Sequence, residues 1–96
     1  MRRYTVIFLR YIDAQILYHF QFIANVSLPA AKRFRNDFGK IIKRIEENPF
    51  QFPIDDQFQF DGVSYRKALF GTWYKALFTI EGNAVYLDYV IDCRQE

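Results

Sequence analysis

Cysteine and histidine are almost missing from this sequence, which holds one of each, Cys93 and His19. A single cysteine excludes an internal disulfide and a cysteine-based metal site, and it suits a reducing cytoplasm. A lone histidine cannot form the acid–base pair of a metal-free nuclease, so we expect His19 to pack or to lie on the surface and Cys93 to act as a small hydrophobe. We expect no metal and no cofactor, and any chemistry must rest on positive charge.

Long hydrophobic runs are also missing. The longest early run, Val6 to Leu9, is far too short for a membrane span or a signal peptide, and Arg10 ends it. We therefore expect a cytoplasmic protein without a membrane partner. The net charge is also small, at +2. A phosphate or nucleic-acid partner would therefore have to bind a local patch of positive charge, because the protein as a whole would attract it only weakly.

Aromatic side chains are plentiful, at 20% of the 96 residues, and supply a core for one domain over 1–96. The segment Tyr4–Leu9 is β-branched and aromatic and predicts a strand. Asp13 is expected to cap a first helix, whose apolar positions recur at helical spacing. Its stripe contains Ile12, Ile16, Leu17, Phe20, Ile23 and Ala24.

A second helix is predicted to begin at Ser27 and Pro29 and to end at Asn48-Pro49, because a residue before proline avoids the helical region. Its apolar face contains Ala31, Phe34, Phe38, Ile41, Ile42 and Ile45. The remainder of the helix is basic. Its three acidic residues, Asp37, Glu46 and Glu47, are outnumbered by six basic ones: Lys32, Arg33, Arg35, Lys40, Lys43 and Arg44.

The C-terminal half predicts a loop over Gln51–Asp61 and then an antiparallel meander of Val63–Phe70, Trp73–Ile80 and Ala84–Asp92. The fold class is therefore α+β, with an N-terminal strand and a two-helix hairpin packed on this sheet. Alternation assigns the two faces of the meander. The expected core face holds Tyr74, Ala76, Phe78 and Ile80, and the expected mixed face holds Trp73, Lys75, Leu77, Thr79, Tyr86, Asp88, Val90, Asp92 and Arg94.

The order of these elements resembles the RelE/ParE superfamily of bacterial type II toxin–antitoxin toxins. Three stretches carry the resemblance over nearly the whole chain: the helix ending Ile41–Pro49, the "YRK…F" strand Tyr65–Phe70 followed by Trp73–Phe78, and the final Val90–Gln95. The resemblance implies a RelE/ParE-like fold and a growth-inhibiting toxin of a plasmid-stabilisation type. Its implied partner is a cognate antitoxin.

The resemblance also implies candidate site residues. RNA-cleaving members of the family carry cations on the open sheet face, at positions that match Arg66, Ala68, Lys75 and Arg94 here, so one cation is missing. Arg66, Lys75 and Arg94 are the candidate catalytic residues, because cations can stabilise the pentacovalent phosphorane formed by 2′-OH attack. Asp88 or Asp92 would supply the base, or would pair with the cations on an ordinary solvated strand face.

Three functions stay open at this point. The first is ParE-like inhibition of DNA gyrase, and the second is RelE-like, metal-independent cleavage of messenger RNA on the ribosome. The third is a degenerate member that only binds a protein partner. The predicted partner-binding residues combine the basic second helix with apolar side chains of the mixed face: Lys32, Arg35, Lys43, Trp73 and Leu77. The alternative for the basic helix is a solvated amphipathic surface.

Overall fold

The computed structural model describes residues 3–9 and 11–95, so positions 1, 2, 10 and 96 of the predicted 1–96 domain lie outside the described residues. The strands are β1 (Thr5–Phe8), β2 (Ile54–Phe60), β3 (Val63–Phe70), β4 (Tyr74–Glu81) and β5 (Ala84–Asp92), and the helices are α1 (Ile12–Ala24) and α2 (Leu28–Glu47). Short 3₁₀ turns follow α2 and β5, at Pro49–Gln51 and Cys93–Gln95.

The five strands form one mixed sheet in the order β1-β5-β4-β3-β2. The meander β3–β4–β5 is antiparallel, and β1 joins it in parallel along β5, with Thr5 opposite Ala84 and Phe8 opposite Leu87. The predicted α+β class, the N-terminal strand, the helical hairpin and the meander are confirmed.

The two helices begin differently. The Ser27 hydroxyl accepts a hydrogen bond from the Ala30 amide at 3.2 Å, which confirms the predicted cap of α2. Asp13 does not cap α1, because Tyr11 occupies the cap position and makes no side-chain cap bond. Asp13 lies instead in the first turn, where a carboxylate is favourable beside the positive end of the helix dipole.

The core lies between the helices and one face of the sheet. Buried side chains of α2, including Phe34, Phe38, Ile41 and Ile45, pack with the sheet residues Ala68, Ala76, Phe78, Val85 and Leu87. Ile12 is fully buried, while Ile16 and Ile23 are partly buried against the same cluster. The predicted apolar face of α2 is confirmed, with Ile42 only partly buried. None of the described helices is long and apolar enough to cross a membrane.

The segment predicted as a loop over 51–61 contains an edge strand, β2, so that prediction was wrong. Its pairing with β3 is irregular: Ile54 lies opposite Arg66 and Gln59 lies opposite Ser64. The five-residue interval from Ile54 to Gln59 on β2 therefore lies opposite an interval of only two residues, Arg66 to Ser64, on β3. Such an excess makes a bulge that bends the strand and re-aims its side chains. Asp55 faces away from the helices because its neighbour Ile54 shares the helix side with Arg66, and the bulge brings Phe58, three residues later, to the same face as Asp55.

A second irregularity lies in β5. Leu77 pairs with Tyr89, whereas the next residue, Phe78, pairs with Leu87, so Asp88 has no partner on β4. The bulge reverses the facing of every later residue in the strand. Val90 and Asp92 are buried on the helix side, opposite Ala76 and Tyr74. Their expected position on the mixed face was therefore wrong.

Candidate functional site

The three cations predicted as catalytic do not meet on one open face. Arg66 pairs across the ladder with Phe78 and so lies on the helix side. Its Nη1 donates to the Phe52 carbonyl at 2.6 Å, and its guanidinium lies over the Phe50 ring at 5.3 Å. Lys75 lies on the opposite face, and Arg94 lies in the turn after β5. The expected convergence of the three residues is wrong.

Lys75 is buried in an ion pair with Asp55 of β2. Its Nζ lies 2.6 Å from Asp55 Oδ2, and the two side chains are 4% and 1% exposed. The Gln57 amide donates to the other carboxylate oxygen at 2.9 Å. Burial raises the pKa of Asp55, but the bonds from Lys75 and Gln57 and the charges of Lys75 and Lys67 outweigh it, so this pKa lies below its ordinary value. The positive charge of Lys75 is neutralised within the fold.

An aromatic cluster covers the same face beside this pair. The rings of Phe58, Tyr65 and Tyr89 lie 5.3 to 5.9 Å from one another between centroids. The Tyr65 hydroxyl donates to Asp88 Oδ2 at 2.8 Å, and burial together with this bond raises the pKa of Tyr65 to about 12. Lys75 and Leu77 are therefore buried on the face that was predicted to be open, whereas Leu69 of the same face is exposed. Leu77 is 0% exposed, so its predicted role as a surface contact was wrong.

Arg94 belongs to a separate cluster on the helix side. Its Nε and Nη2 donate to the two oxygens of Asp92 at 3.0 and 2.7 Å, and its amide donates to the same carboxylate. These bonds lower the pKa of Asp92 despite its burial. The guanidinium also lies over the exposed Trp73 ring at 5.3 Å. Its charge, like that of Lys75, is matched by a buried carboxylate.

A cavity of about 350 Å³ lies beside this cluster, between the helical hairpin and the β3–β4 turn. Its lining includes Phe22, Ile23, Phe34, Trp73, Tyr74 and Arg94. The Tyr74 hydroxyl is buried beside the charged groups of Asp92 and Arg94. Burial and the charge of Asp92 raise the pKa of Tyr74 above its ordinary value.

Neither predicted base is placed to accept a proton from a substrate. Asp92 is bound by Arg94 with a lowered pKa, as the ion-pair alternative predicted. Asp88 accepts from Tyr65 rather than from a cation, and its second oxygen is buried without a partner in the described residues. His19 packs against Phe34 and Tyr74, and its Nε2 lies 3.0 Å from the Val90 carbonyl. This confirms packing as the role of His19.

The predicted partner-binding cations do lie on the surface. Lys32, Arg35 and Lys43 are exposed on α2, and the guanidinium of Arg35 lies over the Phe20 ring at 5.6 Å. Trp73 is 48% exposed at the cavity. The surface role of these four residues stays a prediction, and Leu77 is the one member of the set that the fold removes from the surface.

Sequence reasoning missed Asp55, Tyr65 and Lys67. Lys67 pairs with Leu77 and so lies on the same face as Lys75. The numbers of residues on either side of the Gly71 turn could have indicated this pairing. Nothing local to Asp55 marks it as a buried partner of a residue 20 positions away.

No group of three or more His, Cys, Asp or Glu side chains among residues 3–9 and 11–95 could hold a metal ion. Compared with models of known protein families, the chain matches none, and no curated protein matches it in sequence.

Proposed function

We propose that this chain is the toxin of a bacterial type II toxin–antitoxin pair. In the cytoplasm it binds a cognate antitoxin, and when free it inhibits growth by binding a protein target, DNA gyrase, in the manner of ParE. The order of a strand, a helical hairpin and a three-stranded meander supports this proposal, together with the sequence stretches that resemble the RelE/ParE superfamily.

The observation that carries the choice of a binding mechanism is the separation of the three cations. Catalysis of phosphoryl chemistry needs preorganised positive charge aimed at one developing anion. Here Lys75 and Arg94 are each paired with a buried carboxylate, and Arg66 lies on the other face from Lys75. A phosphate would have to displace Asp55 to reach Lys75, and at Arg94 it would meet a cation already neutralised by Asp92.

One observation favours the RelE-like alternative, cleavage of messenger RNA on the ribosome. Arg94 and Tyr74 line the same cavity, and Trp73 at its rim offers a face on which a base could stack. This arrangement would supply one cation and one proton donor. It supplies no base, because Asp92 is bound to Arg94.

The test uses two assays on one preparation made by cell-free synthesis, since a toxin arrests the cells that express it. The chain is added to gyrase with relaxed plasmid, and separately to translating ribosomes with labelled mRNA. Loss of supercoiling without mRNA cuts is the expected result. Cuts on the ribosome, with gyrase unaffected, would replace the proposal with the RelE-like alternative.

A growth assay separates both toxins from the degenerate binder. Induced expression should arrest growth, and co-expression of the neighbouring small gene should restore it. Normal growth at high levels of folded protein would reject the toxin proposal. In the same assay the double variant Asp55→Leu, Lys75→Met should stay toxic, because the pair is structural. Loss of toxicity in this folded variant would assign Lys75 to the active surface.

A further inference from the structure

The first helix carries large apolar side chains on its exposed side as well as on its buried side. Its inner side packs on the core through Ile12, Ile16 and Ile23. Its outer side carries Leu17, Tyr18 and Phe22, which are 55%, 61% and 51% exposed, and Val26 just beyond the helix is 88% exposed. A contiguous exposed apolar patch on a protein surface often marks an interaction site.

The outer apolar residues form a continuous stripe. Ala14, Tyr18 and Phe22 recur every four positions, and Leu17 flanks them. Positions four apart lie on one helix face, so these side chains present a single surface. Asp13 is the one acidic or basic residue of α1 other than His19, which points into the core. The stripe therefore carries no charge.

We infer that this stripe binds a second copy of the chain, with the two α1 helices packed antiparallel about a two-fold axis near Tyr18. Such an axis places residues symmetrically about position 18, so Ala14 of each copy lies opposite Phe22 of the other. A small residue facing a large one is the arrangement that interdigitating helices require. The stripe is thus complementary to itself, as a two-fold interface must be.

The exposed area also fits a dimer. Covering the exposed parts of Tyr11, Leu17, Tyr18, Phe22 and Val26 would remove on the order of 600 Å² from each copy, or about 1,200 Å² in total, at the lower end of specific interfaces. Tyr and Phe are among the residues that contribute most to such interfaces.

This surface differs in charge from the surface proposed to bind the antitoxin. The basic face of α2, with Lys32, Arg35 and Lys43, suits an acidic partner. The stripe on α1 offers nothing to an acidic or a basic chain, but it does fit another uncharged apolar stripe. A second copy supplies that stripe without any further gene product. The inference therefore adds a self-association surface to the proposed function and does not depend on it.

The first test measures the mass of the purified chain in solution by light scattering after size exclusion. We expect twice the chain mass of 11.6 kDa, and the mass should not fall in high salt, because the stripe has no charges to screen. Tyr18→Glu should raise the dissociation constant of the dimer by at least about 100-fold, because it places two negative charges, one from each copy, beside each other at the axis. The matched control is Leu69→Glu on β3, where the leucine is 63% exposed; this variant should stay dimeric.

A cross-linking test remains valid if Tyr18→Glu fails to fold. In a Cys93→Ser background, Tyr18→Cys should form an intermolecular disulfide on mild oxidation, because a residue on the axis meets its own copy. Leu69→Cys in the same background should remain uncrosslinked.

Three results would overturn the inference. One is a wild-type mass of 11.6 kDa at concentrations up to about 100 µM. Another is equal cross-linking of Tyr18→Cys and Leu69→Cys. The third is a monomeric wild-type chain whose rescue by the antitoxin is abolished by Tyr18→Glu, which would assign the stripe to the antitoxin instead.

Discussion

Asp55 reaches across a whole strand to bind Lys75. Its Oδ2 lies 2.6 Å from the Lys75 ammonium, although β2 and β4 are separated by β3 in the sheet. Asp55 faces away from the helices because it follows Ile54, which pairs with Arg66 on the helix side, and its carboxylate reaches over β3 from there. The ion pair and the ring of Phe58 together hold the irregular strand over that face.

Removing one member of this pair should destabilise the protein strongly. Lys75→Met leaves the Asp55 carboxylate buried without its ammonium, and we expect a loss of about 3–5 kcal/mol in the free energy of unfolding. The double variant Asp55→Leu, Lys75→Met should recover most of that loss, since an apolar pair needs no charge compensation. Urea denaturation with fluorescence of Trp73 measures both.

The control is the exposed pair Arg3–Glu46, whose atoms lie 4.0 Å apart with side chains 61% and 36% exposed. Glu46→Gln should change stability by less than about 1 kcal/mol. A Lys75→Met variant as stable as Glu46→Gln would show that the buried pair contributes little.

Acid should destabilise the fold below about pH 4. The pKa values of Asp55 and Asp92 in the folded state lie below their ordinary value of 3.8. Below that value the unfolded chain binds these protons first, so stability falls as pH falls through the folded pKa values and is fully present above pH 4. Asp55→Asn should show a shallower decline between about pH 4 and 2 in urea titrations. If the free energy of unfolding of Asp55→Asn falls with pH as steeply as that of the wild type, Asp55 does not contribute to the acid destabilisation.

Alkali should destabilise the fold through the ionisation of Tyr65. Its folded pKa of about 12 exceeds the ordinary value of 10.0, so above pH 10 the unfolded chain loses this proton first and stability declines as pH rises. Ultraviolet titration of the phenolates should show a group ionising near 12, and Asp88→Asn should lower that pKa, because it removes the charge that opposes ionisation. The same titration curve in Asp88→Asn would contradict the assignment.

His19 should stabilise the end of β5 through a hydrogen bond rather than through chemistry. The Val90 carbonyl can only accept, so His19 Nε2 carries the proton, and Gln15 accepts from the Val90 amide at 2.8 Å. His19→Phe should cost about 1–3 kcal/mol, since it leaves a buried carbonyl unsatisfied. Gln21→Ala, at an exposed position of α1, is the control and should change stability by under about 0.5 kcal/mol.

The basic face of α2 should control the rate at which the proposed antitoxin associates, if that partner is acidic. Lys43→Glu should slow association several-fold near 0.05 M salt, because exposed charges at an interface steer the encounter. The difference should shrink by about 0.5 M salt, where screening is strong. Stopped-flow mixing with the purified antitoxin gives both rates. Equal rates for Lys43→Glu and wild type at low salt would leave α2 as a solvated surface.

Sequence patterns predicted the elements whose signals are local. The apolar face of α2 repeats over 20 residues, and Ser27 and Asn48 mark its ends. The turns of the meander were predictable because Gly71 and Gly82 adopt φ values of 58° and 60°, which other residues rarely tolerate.

The site was less predictable, because its geometry depends on two bulges. Aspartates at 55 and 56 are typical of a loop, and the strand forms there because Lys75, distant in sequence, compensates Asp55. The bulge at Asp88 has no signature in the neighbouring residues, yet it moves Val90 and Asp92 to the other face and so separates Arg94 from Lys75.

The parallel pairing of β1 with β5 has a consequence for synthesis. Thr5 emerges from the ribosome early, but its sheet neighbour, Ala84, is made 79 residues later. Until then β1 has no strand beside it, and the core lacks Val85 and Leu87. Contacts this distant in sequence are slow to form. The sheet and the core of the nascent chain therefore stay incomplete until β5 has left the exit tunnel.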